Sequence, residues 1–94
     1  MAIRLNWSEQ SLNDLIGIAE YIARDSDRYA KLTVRRIREK TQILKTNPFA
    51  GRIVPEINNP EIRELIMGNF RIIYLIVSKS QIDILTIYHS ARVL

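Results

Sequence analysis

Apolar residues recur along this chain with two different periods, and the change of period divides it. At the start Ile3, Leu5 and Trp7 alternate with Arg4 and Asn6, the period-two pattern of a half-buried strand. Ser8 follows as a helix cap, since its hydroxyl can accept from the free amides of a first turn. Leu12, Leu15, Ile16, Ala19, Ile22 and Ala23 then recur at steps of three and four, which predicts a helix with that stripe toward the core. The D-S-D at 25–27 interrupts the pattern and offers a second cap. Ala30, Val34, Ile37, Thr41 and Leu44 make the next stripe, which ends at Asn47-Pro48. A break this short predicts an antiparallel helix hairpin.

Beyond Pro48 the period falls to two. P-F-A-G-R-I-V-P-E reads as a loop with a short strand, broken by Pro55, and N-N-P at 58–60 is a further turn. Ile62 to Met67 reads as a strand, and Gly68-Asn69 as a two-residue hairpin turn, because both residues tolerate positive φ. Phe70 to Val77 is the next strand, and S-K-S turns the chain into Ile82 to Tyr88. This order predicts one α+β domain over residues 1–94. In it an N-terminal strand and an antiparallel two-helix hairpin precede an antiparallel sheet of about four strands, and the hairpin packs on one face of that sheet.

The two longest strands are apolar on both faces. Ile73, Leu75 and Val77 fall on one side, and Phe70, Ile72, Tyr74 and Ile76 on the other. One helix hairpin covers one face. Either the sheet curls over a small second core or another chain covers the remainder, so Ile73, Leu75 and Val77 are candidate partner-binding residues.

Composition narrows the chemistry. The chain has no cysteine, which removes disulfides, thiolate nucleophiles and cysteine metal sites. It has one histidine, His89, and its carboxylates are scattered, so no metal site and no cofactor are expected. No apolar run is long enough for a signal peptide or a membrane span, and a cytoplasmic protein is expected. The net charge is +4, unevenly placed. Arg28, Lys31, Arg35, Arg36, Arg38, Lys40 and Lys45 stand against Glu39 alone in residues 28–45, a segment suited to nucleic acid or to an acidic protein. Around the sheet, Arg52, Arg63, Arg71, His89 and Arg92 collect cationic and imidazole groups. Metal-free RNA cleavage needs a base, an acid and positive charge. Tyr88 or His89 has the chemistry for the proton transfers, and Arg63 and Arg71 for the charge. The same residues also suit a structural role, with Arg71 and Arg63 paired to Glu64 or Glu61.

Four ordered blocks carry a resemblance: N-P-F-A-G-R-I-V-P-E at 47–56, I-R-E-L at 62–65, N-F-R-I-I-Y at 69–74 and I-D-I-L-T-I-Y-H-S-A-R-V-L at 82–94, with L-N-D-L-I-G-I-A-E-Y-I-A at 12–23 matching more loosely. Together they resemble the ParE branch of the RelE/ParE toxin superfamily, the toxins of type II toxin–antitoxin and plasmid-stabilisation modules. The resemblance implies a helix hairpin on an antiparallel sheet, and a cognate antitoxin that neutralises the toxin in a hetero-oligomer. ParE-like members poison DNA gyrase and so block replication; RelE-like members are ribosome-dependent endoribonucleases that cut messenger RNA. The G-R-x-V-P-E block and the closing H-x-x-R look ParE-like, and no lysine lies between Thr46 and Ser78, where RelE-type enzymes tend to carry them. The resemblance therefore implies a gyrase-inhibiting binding protein more than an enzyme, with Arg52, Arg63, Arg71, His89 and Arg92 as target-binding candidates. The alternative is a metal-independent RelE-like nuclease using Arg63, Arg71, Tyr88 and His89.

Overall fold

The computed structural model describes residues 2–90. Strand β1 (Arg4–Trp7) leads into helices α1 (Glu9–Ala23) and α2 (Asp27–Lys40), then into a tight 3-10 turn over Thr41–Lys45. Strands β2 (Arg52–Ile53), β3 (Ile62–Met67), β4 (Phe70–Ser78) and β5 (Gln81–His89) complete the chain. Both predicted caps form. The Ser8 hydroxyl accepts from the Ser11 N–H at 3.0 Å and donates to the Leu85 carbonyl at 2.8 Å, so one side chain starts α1 and ties it to β5. Ser26 accepts from the Tyr29 N–H at 3.1 Å and starts α2. Acidic Asp27 opens α2, and Arg38 and Lys40 close it, matching the helix dipole.

The sheet has five strands in the order β1-β5-β4-β3-β2 and is mixed rather than wholly antiparallel, because β1 pairs parallel to β5 with Leu5 opposite Ile82. Periodicity shows that a segment is a strand but not which way its neighbour runs, and here the two ends of the chain meet side by side. The β3–β4 hairpin turns at Gly68-Asn69 as predicted, with one refinement. Gly68 takes φ +58° and Asn69 does not take positive φ. Between β4 and β5 the register slips, with Ile73 opposite Thr86 but Tyr74 opposite Ile84. Leu85 is therefore an extra residue, a β-bulge. The Asp14 carboxylate of α1 accepts from the Thr86 hydroxyl and the Ile87 N–H at this bulge.

That anchor sets the rotation of α1. The buried positions are Ser11, Leu15 and Ile18, with Ile22 partly buried against the core. Leu12 and Ile16, expected in the core, are 48% and 57% exposed. They lie on the helix surface because Asp14 turns its side of α1 toward β5. Ser11 tolerates complete burial because its hydroxyl donates to the Ser8 carbonyl at 2.8 Å. The core joins Leu15, Ile18, Ile37 and Leu44 to Phe70, Ile72, Tyr74, Ile82, Ile84 and Ile87. The hairpin thus covers the face of β4 that carries Phe70, Ile72 and Tyr74. On the uncovered face Ile66 and Val77 are 45% and 46% exposed, while Ile73 and Leu75 are half-buried. Among the described residues no helix is long and apolar enough to cross a membrane.

These positions predict a sharp contrast within one helix. Ile18→Ala should cost about 2–5 kcal/mol by leaving a cavity, and Ile16→Ala less than about 0.5 kcal/mol as a surface change. Urea unfolding of the two variants measures both, and similar midpoints would contradict this rotation of α1.

Candidate functional site

The uncovered sheet face carries a charged cluster at its β2–β3–β4 side. Arg52 stands opposite Glu64 across β2 and β3, and Arg71 lies on β4 opposite Ile66. The Glu64 side chain has no solvent exposure although no helix covers it. It is enclosed by arginines: Glu64 Oε2 accepts from Arg52 Nε and Oε1 from Arg71 Nε, each at 2.6 Å. The two terminal nitrogens of Arg71 donate to the Glu56 carboxylate at 3.0 and 2.9 Å, a bidentate pair. Two guanidinium groups and two carboxylates thus close a network with no net charge. Arg71 holds the Glu56 carboxyl well below its ordinary 4.5, at about 2, and the two carboxylates push the Arg71 guanidinium still higher. Tyr88 stands opposite Arg71 on β5, 42% exposed.

A second lock holds the loop before β2. The Gly51 N–H donates to the Tyr74 hydroxyl at 3.0 Å, and that hydroxyl donates to the Pro48 carbonyl at 2.8 Å. Burial pushes the Tyr74 phenol above its usual value. Gly51 is required by space: a Cβ there would lie 2.5 Å from the Glu64 carbonyl oxygen and 2.8 Å from the Tyr74 hydroxyl. Arg63 completes the lock from β3. Its Nη1 donates to the Gly51 carbonyl at 3.0 Å and its Nε to the Pro60 carbonyl at 2.8 Å, with the guanidinium 4.9 Å from the centre of the Phe49 ring. Its partners are therefore backbone carbonyls, not the Glu61 or Glu64 that its sequence neighbourhood suggested.

His89 lies elsewhere. It is opposite Phe70 at the end of β5 and stacks on that ring, with centroids 4.3 Å apart and planes 27° apart. The Tyr21 ring of α1 meets it edge-on at 5.7 Å. Together with Tyr29, Arg36 and Met67 these residues line a groove of about 560 Å³ between the helix hairpin and the β3–β4 turn.

The candidates named from sequence consequently do not converge. Arg52, Arg71 and Tyr88 lie on the uncovered face, His89 on the helix-covered face, Arg63 against the loop, and Arg92 outside the described residues. Glu64 and Tyr74 organise the site: the sequence offered Glu64 only as one possible partner of Arg71 or Arg63, a pairing that Arg71 makes, and Tyr74 only as an apolar sheet residue. One signal for Glu64 was available: a carboxylate in the middle of an otherwise apolar strand, where burial demands a cationic partner. Tyr74 had none, since an aromatic in a buried strand reads as plain core.

This fold, a helix hairpin over a five-stranded mixed sheet, has a counterpart among solved structures. A solved structure described as a chromosomal ParDE toxin–antitoxin system from P. aeruginosa is similar in fold, with a TM-score of 0.76 at 23% sequence identity, over 93% of this chain and 95% of that one. The family model for the ParE toxin of type II toxin–antitoxin systems, parDE, matches residues 5–94. The chain belongs to the ParE toxin family. No match was found among curated proteins.

Two outcomes test the network. Arg71→Met should cost about 3 kcal/mol, because it strips the buried Glu64 of its less exposed partner. Arg52→Met should cost less, because the Arg52 side chain is 61% exposed while that of Arg71 is only 25% exposed; equal losses in urea unfolding would refute the ranking. Glu56 sets the pH response. Its folded pKa is depressed, so its contribution is full above about 4.5 and is lost as pH falls toward about 2. Glu56→Gln should therefore flatten the fall of stability across that window in urea unfolding followed against pH, and an equally steep fall in the variant would refute this role of Glu56.

Proposed function

We propose that this ParE-family toxin inhibits DNA gyrase by binding it, without cleaving nucleic acid, and is neutralised by a cognate antitoxin in a hetero-oligomer. What carries the preference for binding over RNA cleavage is the engagement of Arg71. Metal-free cleavage needs a cation that faces the scissile phosphate, with an acid and a base within reach of the same atoms. Arg71 has all three guanidinium nitrogens committed to Glu64 and Glu56, and its charge is cancelled on the spot. Arg63 is spent on two backbone carbonyls and a ring. His89 is on the opposite face of the sheet from Arg71 and Tyr88, so the four nuclease candidates do not surround one phosphate.

On this reading the target contacts come from the exposed groups, Arg52 and Tyr88 foremost. Arg63 and Arg71 act by holding the loop 51–56 on the sheet, and His89 lines the rim of its groove. The antitoxin covers the sheet face that the helix hairpin leaves open, through Ile73, Leu75 and Val77, by laying a strand or helix along it. Target and antitoxin are both cytoplasmic on this reading.

The test is a supercoiling assay with purified gyrase. Added toxin should make the enzyme accumulate linearised plasmid, and the antitoxin encoded beside it should restore supercoiling. Against Val77→Asp toxin the same antitoxin should be needed at about tenfold higher concentration or more, the scale of losing one buried apolar contact at an interface. Supercoiling unaffected at micromolar toxin would sink the gyrase reading, and unchanged neutralisation of the Val77→Asp protein would move the antitoxin to another surface.

A further inference from the structure

The uncompensated positive charge of the described chain is concentrated on α2. On the sheet, Arg52 and Arg71 are paired with Glu64 and Glu56, and Arg63 donates to carbonyls. On α2, Arg28, Lys31, Arg35 and Arg38 are spaced by three, four and three residues, so they form one row along the helix. All four are exposed, on the side away from the buried Ala30, Thr33 and Ile37. At the helical rise the row is about 15 Å long. Among the described residues only Lys31 of the four is ion-paired, with Asp27 at 3.6 Å, and both side chains of that pair are 79% exposed. A pair so open to water is readily exchanged. Glu39, the other acid of the helix, takes part in no ion pair among the described residues.

We propose that this row binds the phosphate backbone of duplex DNA. A row of cations without an apolar or aromatic anchor suits a polyanion better than a protein partner, since protein interfaces are held mainly by buried aromatic and apolar side chains. Duplex DNA presents a charge about every 1.7 Å along its axis, so a row of about 15 Å faces several phosphates and releases their counterions on binding. Single-stranded RNA is gripped by bases stacked on aromatic side chains. The row has none, and Tyr29, on the same helix, turns instead to the groove beside His89. The site belongs to the toxin alone and does not depend on the gyrase reading.

Anisotropy of a fluorescent duplex of random sequence, with the full chain and no gyrase, tests the site. Binding should be micromolar at about 50 mM salt, and log K should fall against log salt with a slope of about −3 to −4. The Arg35→Gln/Arg38→Gln protein, checked for folding by circular dichroism, should bind about tenfold or more weakly, with the slope reduced by about 2. Lys79→Gln, which removes an exposed cation on the β4–β5 turn, should leave the slope unchanged. No duplex binding at low salt, a slope unaltered in the double variant, or tighter binding of single-stranded RNA than of the duplex would overturn the proposal. Gyrase left uninhibited by a toxin that shows the predicted slopes would refute the gyrase reading and leave this site standing.

Discussion

The conformation of the second half of the chain depends on one buried carboxylate. Glu64 sits in the middle of β3 on a sheet face that no helix covers, yet its side chain is fully enclosed. A carboxylate removed from water is tolerated only with charge-assisted hydrogen bonds on both oxygens. Arg52 from β2 and Arg71 from β4 provide them, one from each neighbouring strand. Satisfying Glu64 therefore fixes the register of three strands at once. Because Arg71 also reaches Glu56, it draws the loop after β2 down onto the sheet. The two-residue β2, too short to be stable through its own ladder, is held by side chains.

The same network gives each letter of G-R-x-V-P-E a physical reason. Gly51 is small because the Glu64 carbonyl and the Tyr74 hydroxyl both crowd it. Arg52 and Glu56 are the outer members of the ion network, and Val54 between them is 2% exposed, its N–H donating to the Ile62 carbonyl at 3.3 Å. Pro55 sits in the turn between Val54 and Glu56, where it stops the strand and sends the chain back toward Arg71. A block that reads from sequence as a functional signature is, in this fold, a device for building a rigid loop. The arginines that look most chemical are the ones most occupied by structure.

Local physics was legible in the sequence, and relations between distant segments were not. Ser8, Ser26 and Gly68 act where their chemistry said they would, because a cap or a turn is decided within a few residues. The rotation of α1 was missed because it is decided by Asp14 meeting the bulge at Thr86 and Ile87, more than seventy positions away. Without that bond Leu12 and Ile16 fit the apolar stripe as well as Ile18 does. The parallel pairing of β1 with β5 is likewise a contact between the chain's two ends, invisible to any window. At the site, the exclusion of Tyr88 and His89 from one shared face follows from strand alternation and was readable. The pairing of Arg71 with Glu64 was readable as one option beside Glu61, while its second pairing, with Glu56, was not.

His89 shows how a lone titratable residue can mislead. Its neighbours make the end of β5 resemble a catalytic constellation, but the sheet geometry gives it to the helix-covered face, flat against Phe70 and edge-on to Tyr21. An imidazole in that position joins three elements, because Phe70 begins β4, Tyr21 lies near the end of α1 and His89 ends β5. The Ser90 N–H and hydroxyl both donate to the Asn69 carbonyl, which pins the same end of β5 to the β3–β4 turn. Aromatic stacking and two hydrogen bonds thus secure the last strand at the point where the groove opens. Replacing the ring by an aliphatic side chain would remove a flat surface matched to Phe70, and an effect of such a change on toxicity would by itself say nothing about proton transfer. Only a pH dependence that follows the imidazole, with the stack preserved, would make His89 a chemical group rather than a packed one.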